Sequence, residues 1–195
     1  MEFFDVIFAR HSYRGEFEPT PVPREDLEKI VTAGTRAPSA GNMQSQRFYV
    51  VTSPEMLAKI RETFPHPGVA TAPALILLVS RLLKFEPFPP KDLRQPDKGG
   101  QDAAPPPQKF DSPFELQDYG AAAENVLLAI AALGYSTVWT DGQTTFSKEL
   151  QDKAAELLAL PEDAKVRAVL PVGIPKVKGG TQPERKPLDE LVKFI

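Results

Sequence analysis

The sequence predicts a mixed fold of the α/β or α+β class, and three observations carry that expectation. Residues 74–80, ALILLVS, are continuously apolar and short, as in a strand buried on both faces. Residues 114–133 hold Leu116, Tyr119, Ala123, Val126, Leu127, Ile130 and Leu133 at helical spacing, and Gly134 suits the position just past a helix end. Elsewhere strand-like and helix-like segments alternate.

In chain order, residues 2–10 (EFFDVIFAR) predict a short helix with Phe3, Phe4, Ile7 and Phe8 on one face. A second helix is predicted over about 23–35. Pro23 suits its first position, where an N–H has no helical partner, and Leu27, Ile30, Val31 and Gly34 form its apolar stripe. The polar loop RAPSAGNMQSQ follows. Residues 48–52 (FYVVT) are aromatic and β-branched and predict a strand. Ser53 then caps a helix with Pro54 at its first position and Met56, Leu57 and Ile60 inside.

Between 85 and 113, eight prolines and the pair Gly99–Gly100 forbid regular structure. Such a stretch is expected to be a lid over a functional pocket or a surface excursion. Alanines fill the gaps of the 114–133 helix, so another helix can approach it closely, in the core or across a dimer interface. Residues 135–140 predict a strand, 147–159 an amphipathic helix, and 166–173 a strand broken at Pro171. The polar tail ends on Leu188, Leu191, Val192, Phe194 and Ile195, an apolar ending that needs a surface to dock on. One domain over residues 1–195 accommodates all of this.

Composition excludes several chemistries. Hydrophobic residues make up 42% of the 195 and charged residues 25%, enough to bury a core and too apolar for global disorder. A net charge of −3 offers nothing to attract nucleic acid or an anionic membrane, and neither partner is expected. Without cysteine there can be no disulfide, thiolate metal site, iron–sulfur cluster or cysteine nucleophile. His11 and His66 lack metal-ligand spacing, so no metal is expected. No apolar run approaches membrane-spanning length and no signal segment is written, so a cytoplasmic protein is expected. The dinucleotide, P-loop and serine-hydrolase motifs are missing. The carboxylate pairs Glu25/Asp26 and Glu162/Asp163 read as helix starts that complement the dipole.

What remains is basic. Arg10, His11, Ser12 and Arg14 gather potential cations and a hydroxyl in one short stretch. Guanidinium groups grip phosphate through a planar fork. The other reading is a helix C-terminus whose basic residues offset its dipole. Arg185 and Lys186 form a second basic group, readable as an anion grip or as a solvated tail.

Five segments, in order and over nearly the whole chain, resemble the nitroreductase superfamily: ARHSYRGEF at the start, PSAGNMQ at 38–44, DYGAAAENVLLAIAALGYSTVW at 118–139, LPVGIP at 170–175 and ERKPLDELV at 184–192. The resemblance implies an α+β, three-layer α/β/α-like fold with a central, mainly antiparallel sheet. It implies a homodimer with tail exchange and FMN at the dimer interface. Arg10, His11 and Ser12, helped by Arg185, would hold the FMN phosphate and ribityl chain. Arg14 would lie at the pyrimidine edge, where two-electron reduction puts negative charge on N1 and O2. Pro38, Ser39, Ala40 and Asn42 would approach the flavin of the other subunit. The backbone of Asp141 and Gly142 would face N5 and O4. The implied activity is electron transfer from NAD(P)H to a small acceptor such as a nitro compound or quinone, both using one pocket in turn.

Two departures stand out. Ser45 and Gln46 occupy positions where the family commonly has proline and tryptophan. Residues 63–73, TFPHPGVATAP, offer no match to the asparagine that many members direct at the flavin ring. Trp139 reads as core or as a stacking group, and Tyr119 as core or interface. Glu124 and Asn125 read as a satisfied buried polar pair. His66, between two prolines, reads as loop surface with a substrate-facing role open. Other expectations within the same fold are reductive dehalogenation or flavin cleavage, served by Lys84, Glu86, Lys91, Asp92, Arg94 or Lys109, and a flavin-binding protein without turnover.

Overall fold

A computed structural model describes residues 2–82, 114–142, 145 and 147–195, together with the backbone of 84–85 and 110–111. Its elements run α1 (Phe3–Ala9), α2 (Arg24–Thr35), β1 (Gln46–Val51), α3 (Pro54–Thr63), α4 (Pro67–Thr71), β2 (Ala74–Arg81), β3 (Lys84–Phe85), β4 (Phe110–Asp111), α5 (Glu115–Ala132), α6 (Lys148–Leu157), β5 (Ala164–Val172) and α7 (Leu188–Leu191). Strands β1, β2 and β5 form the central sheet in the order β1–β2–β5, antiparallel throughout. The α+β class with a central antiparallel sheet is therefore present.

Strand β2 explains the layers. Its side chains alternate between faces, as a period of two requires. Leu75, Leu77 and Val79 join Leu57 and Ile60 of α3, Phe64 just after it and Val69 of α4, with Ala154 of α6. Ala74, Ile76 and Leu78 join Leu27 and Ile30 of α2 and Ala123, Val126 and Ile130 of α5. The sheet is covered on both sides, so β2 carries no polar face. At Gly34, α2 comes so close that an added Cβ would lie 2.7 Å from both Phe48 and Val126. This is the approach that the alanines of α5 allow.

Several expectations are corrected. Residues 135–140 make isolated bridges at Ser136, Thr137 and Thr140 rather than a strand. Pro171 does not break β5; it stands opposite Leu75 inside the strand. Val169 donates its N–H to Thr140, away from β2, and Pro171 shares that parity, so its missing N–H removes no bond between β5 and β2. The same proline limits the pairing available to 136–140. Glu162 and Asp163 precede a strand rather than a helix, and Asp163 clamps Arg81 through two contacts of 2.7 and 2.6 Å.

Pro23 caps α2 instead of opening it, whereas Ser53 and Pro54 stand where expected on α3. The excursion at 85–113 lies outside the described residues, except that Lys84↔Asp111 and Phe85↔Phe110 pair at its base.

The apolar face of α1 is not packed. Phe3, Phe4 and Phe8 are 66%, 68% and 72% exposed, and Val6 alone is buried there. The tail is equally open at Leu188, Leu191, Phe194 and Ile195.

Candidate functional site

Helix α1 ends at Ala9, and the basic cluster lies in the chain that leaves it. Arg10 caps the helix, its N–H bonded to Val6 O. Its side chain turns to α5 rather than along α1, with Nε 3.1 Å from Glu124 Oε1 and off the line of a good hydrogen bond. His11 uses Nδ1 on Ala9 O at 3.0 Å. Ser12 bridges to Thr137, and Tyr13 donates to Thr137 O at 2.8 Å. The cluster is thus pinned to the 136–140 segment at the sheet's edge. A cavity of about 180 Å³ lies beside it, lined by Arg10, His11 and Thr137 among others. The Thr137 hydroxyl there is buried without a hydrogen-bond partner.

The C-terminal tail returns to this corner. Gly180 lies against His11, where an added Cβ would stand 2.7 Å from Nε2, and its φ of +127° suits glycine alone. Gln182 donates to Ile7 O at 2.6 Å. Arg185 is exposed and 3.5 Å from Gln182 Oε1. The tail that carries Arg185 is therefore packed on the end of α1, beside His11. Lys186 instead approaches Glu190, at 3.9 Å.

The serine loop is built on strain. Gly41, Asn42 and Gln44 have φ of 56°, 53° and 49°. Left-handed non-glycine residues persist only where their surroundings hold them, and such positions concentrate at binding sites. Here Ser39 Oγ accepts from Gln44 N at 3.0 Å, and Asp118 of α5 accepts from Ala40 N at 2.9 Å. Pro38 and Asn42 are left exposed. Helix α5 carries both anchors, Asp118 for the loop and Glu124 for Arg10.

At the far end of the 136–140 segment, Asp141 and Gly142 are exposed, and Asp141 O accepts from Thr145 N. The Trp139 ring stands edge-on to Tyr119 at 5.4 Å. Burial, with the nearby Asp141 carboxylate, pushes the Tyr119 phenol far above its ordinary range. The Tyr119 ring packs in the core that α2, β2 and α5 share.

The sequence pattern of the nitroreductase family matches residues 7–174. The chain belongs to that family. A protein of Archaeoglobus fulgidus, provisionally named an NADH dehydrogenase/NAD(P)H nitroreductase, is 32% identical over 176 residues, 90% of this chain and 86% of that protein. A crystal structure from Clostridium acetobutylicum, provisionally named an NADH oxidase, superposes with a TM-score of 0.72 at 27% identity, covering 95% of this chain and 96% of that one. A BluB-like flavoprotein from Clostridium difficile shares the fold with a TM-score of 0.74 at 24% identity, covering 100% and 99%.

Nitroreductase-family motifs thus occupy two distinct settings in this chain. Residues 10–12 lie at the α1 corner with the tail packed against them at Gly180 and Gln182, while the loop at 38–42 is anchored by Asp118 at the start of α5. The reading of Glu124 and Asn125 as a polar pair is corrected. Glu124 is 45% exposed and faces Arg10, while Asn125 donates to Ala33 O. The anchoring role of Asp118 has no sequence signal, because an acid on a helix looks the same whether it faces water or a loop. His66 is not plain loop surface either. It is partly buried and caps α4 through Nδ1, which accepts from Gly68 N at 3.1 Å. Burial, and secondarily the charge of Arg14, hold its pKa below the ordinary value.

Proposed function

We propose that this chain binds FMN and uses it to pass electrons from NAD(P)H to a small acceptor such as a nitro compound or quinone. The observation that carries the reading is the α1 corner, where Arg10, His11 and Ser12 lie beside the tail that carries Arg185, seated by Gly180 on His11 and by Gln182 on Ile7 O. Its donor set fits a phosphate: guanidinium groups, an exposed serine and a buried Arg10 Nε without an in-line acceptor. FMN, when bound, would accept a hydride from one molecule and release the electrons to the next in the same pocket. Arg14 would stabilise charge at the pyrimidine edge. The backbone of Asp141 and Gly142 would donate toward the ring's N5 and O4.

The serine loop would complete the site of a second subunit in a homodimer. Supporting this, the loop's strain leaves Pro38 and Asn42 exposed, and the apolar faces of α1 and the tail are uncovered in the single chain. A lid role for 85–113 and exchange of the tail between subunits belong to the same proposal.

Two measurements test it. Purified protein incubated with FMN and desalted should be yellow, bleach anaerobically with NADH or NADPH, and regain colour with an acceptor. Arg10→Ala should weaken FMN binding by about one to two decades, the loss of a charge-assisted contact worth roughly 1.5–3 kcal/mol. A protein that takes up no FMN, or an Arg10→Ala variant that binds it as tightly as wild type, would sink the assignment.

A further inference from the structure

The three acids of α5 meet three different partners. Glu115 clamps Arg167, Asp118 accepts from Ala40 N, and Glu124 lies 3.1 Å from Arg10 Nε. The first two contacts are directed hydrogen bonds. The third is not: Arg10 Nε is buried with no acceptor in line, although the carboxylate stands beside it. Among the described residues, Glu124 is also the one carboxylate within ion-pair distance of Arg10, His11, Arg14 or Arg185.

The helix explains the placement. Glu124, Leu127 and Ala131 follow one another along one stripe of α5, at spacings of three and four residues. Leu127 and Ala131 wall the cavity of about 180 Å³ that Arg10, His11 and Thr137 also line. Glu124, 45% exposed, stands one turn before that wall, and the Arg10 side chain, 23% exposed, turns to it.

A guanidinium so far withdrawn from water needs a counter-charge while no anion is bound. A carboxylate that is near, but off the hydrogen-bond line, offsets the charge and leaves the donors unspent. An arriving phosphate therefore finds the Arg10 N–H groups unbonded and their charge already shared.

We propose that Glu124 sets the affinity of the α1 corner for the FMN phosphate. It offsets Arg10 in the flavin-free protein and competes with the phosphate for that charge, which keeps the bound cofactor exchangeable. This rests on the FMN reading above. Because the competition is over charge, it acts on the phosphate and not on the flavin ring.

Glu124→Gln keeps the shape of the side chain and removes its charge. The flavin-free protein is titrated with FMN and with riboflavin, which carries no phosphate, and flavin fluorescence reads both affinities. The variant should bind FMN about fivefold more tightly, the upper end of what a partly exposed charge pair carries. It should bind riboflavin as the wild type does, which also shows that the pocket has kept its fold. The gain for FMN should shrink at about 1 M salt, where screening weakens the competition. Asp152→Asn removes an equal charge from α6, on the other face of the sheet, and should move neither affinity.

FMN affinity that is unchanged or weaker in Glu124→Gln overturns the proposal. So does an equal gain for riboflavin, a gain undiminished by salt, or the same gain in Asp152→Asn. Wild-type protein that takes up no FMN overturns this proposal and the functional reading together. FMN binding that is weakened by Arg10→Ala but indifferent to Glu124→Gln overturns this one alone.

Discussion

The central strand β2 and the short helix α1 use the same kind of residue to opposite ends. In β2, Leu75, Ile76 and Leu77 are 0% exposed, enclosed by helices on both faces of the sheet. In α1, three phenylalanines stand more than 60% exposed, with Phe4 and Phe8 stacked on one another at 6.5 Å. Apolar surface in contact with water costs about 25 cal/mol per Å² wherever it lies. The first region meets that demand within its own chain. The second leaves a contiguous apolar face, larger in kind than the scattered exposed leucines of ordinary surfaces, and such faces mark contacts with another molecule. In the proposed homodimer, stability and assembly fall to different parts of the chain, and substitutions in the two should report on different equilibria.

The largest effect on the inner side is expected where a charge is buried. Glu115 opens α5 and clamps Arg167 of β5 through contacts of 2.8 and 2.6 Å, with Ser80 of β2 as a further acceptor. Removing one member of a buried pair costs about 3–5 kcal/mol because the other charge remains in low dielectric. Glu115→Ala should fall toward the lower end, since the Arg167 side chain is 17% exposed. Urea unfolding checks it, and a loss below about 1 kcal/mol would mean that water reaches the pair.

The comparison itself is broken or kept by a matched pair. Leu77→Ala should lower unfolding stability by about 2–5 kcal/mol. Phe8→Ala should leave the unfolding of the single chain within about 0.5 kcal/mol. It should weaken self-association by about one to two decades, from roughly 1.5–3 kcal/mol of lost burial. Sedimentation across a concentration series reads the second equilibrium. Equal loss of stability in both variants would mean that α1 belongs to the core after all.

The smallest effect is a pH dependence at the sheet's edge. Arg81 holds the Asp163 carboxyl below its ordinary value of 3.8. A folded pKa below the unfolded one contributes stability above 3.8 that is lost as pH falls through the folded value. Asp163→Asn should therefore flatten the acid limb of a melting-temperature profile slightly, with no change near neutrality. A shift at neutral pH as large as that in acid would assign the pair a structural role independent of charge.

Much of the fold was legible because it follows from period and punctuation. The apolar run of β2, the helical spacing of α5, and Ser53 and Pro54 at the start of α3 each act within a few residues. The strand expected over 135–140 failed for a reason no local window contains. Its neighbour presents Pro171 on the side facing it, so only scattered bridges form. The basic cluster at 10–14 was visible as composition, but its setting was not. That Arg10 turns to Glu124, that Gly180 seats on His11, and that Asp118 holds the strained turn at 40–44 depend on partners 78 to 169 positions away in the chain.

The sequence by itself determined most of the helices, the strands β1, β2 and β5, the two-sided burial of β2 and the family, because alternation, capping and ordered motifs are written in neighbouring residues. Only the tertiary structure decided what those elements face. It packed the C-terminal tail on the end of α1, left the phenylalanine face of α1 uncovered, and made His66 the cap of α4. The physical reason is that hydrogen bonds and side-chain packing act over a few ångströms in space, while the residues that make them are separated along the chain. Pro65, Pro67 and the Gly68 N–H give His66 its orientation locally, but the chain that follows the basic cluster reaches α4 only through Phe17 and Thr71, a contact between residues 54 positions apart.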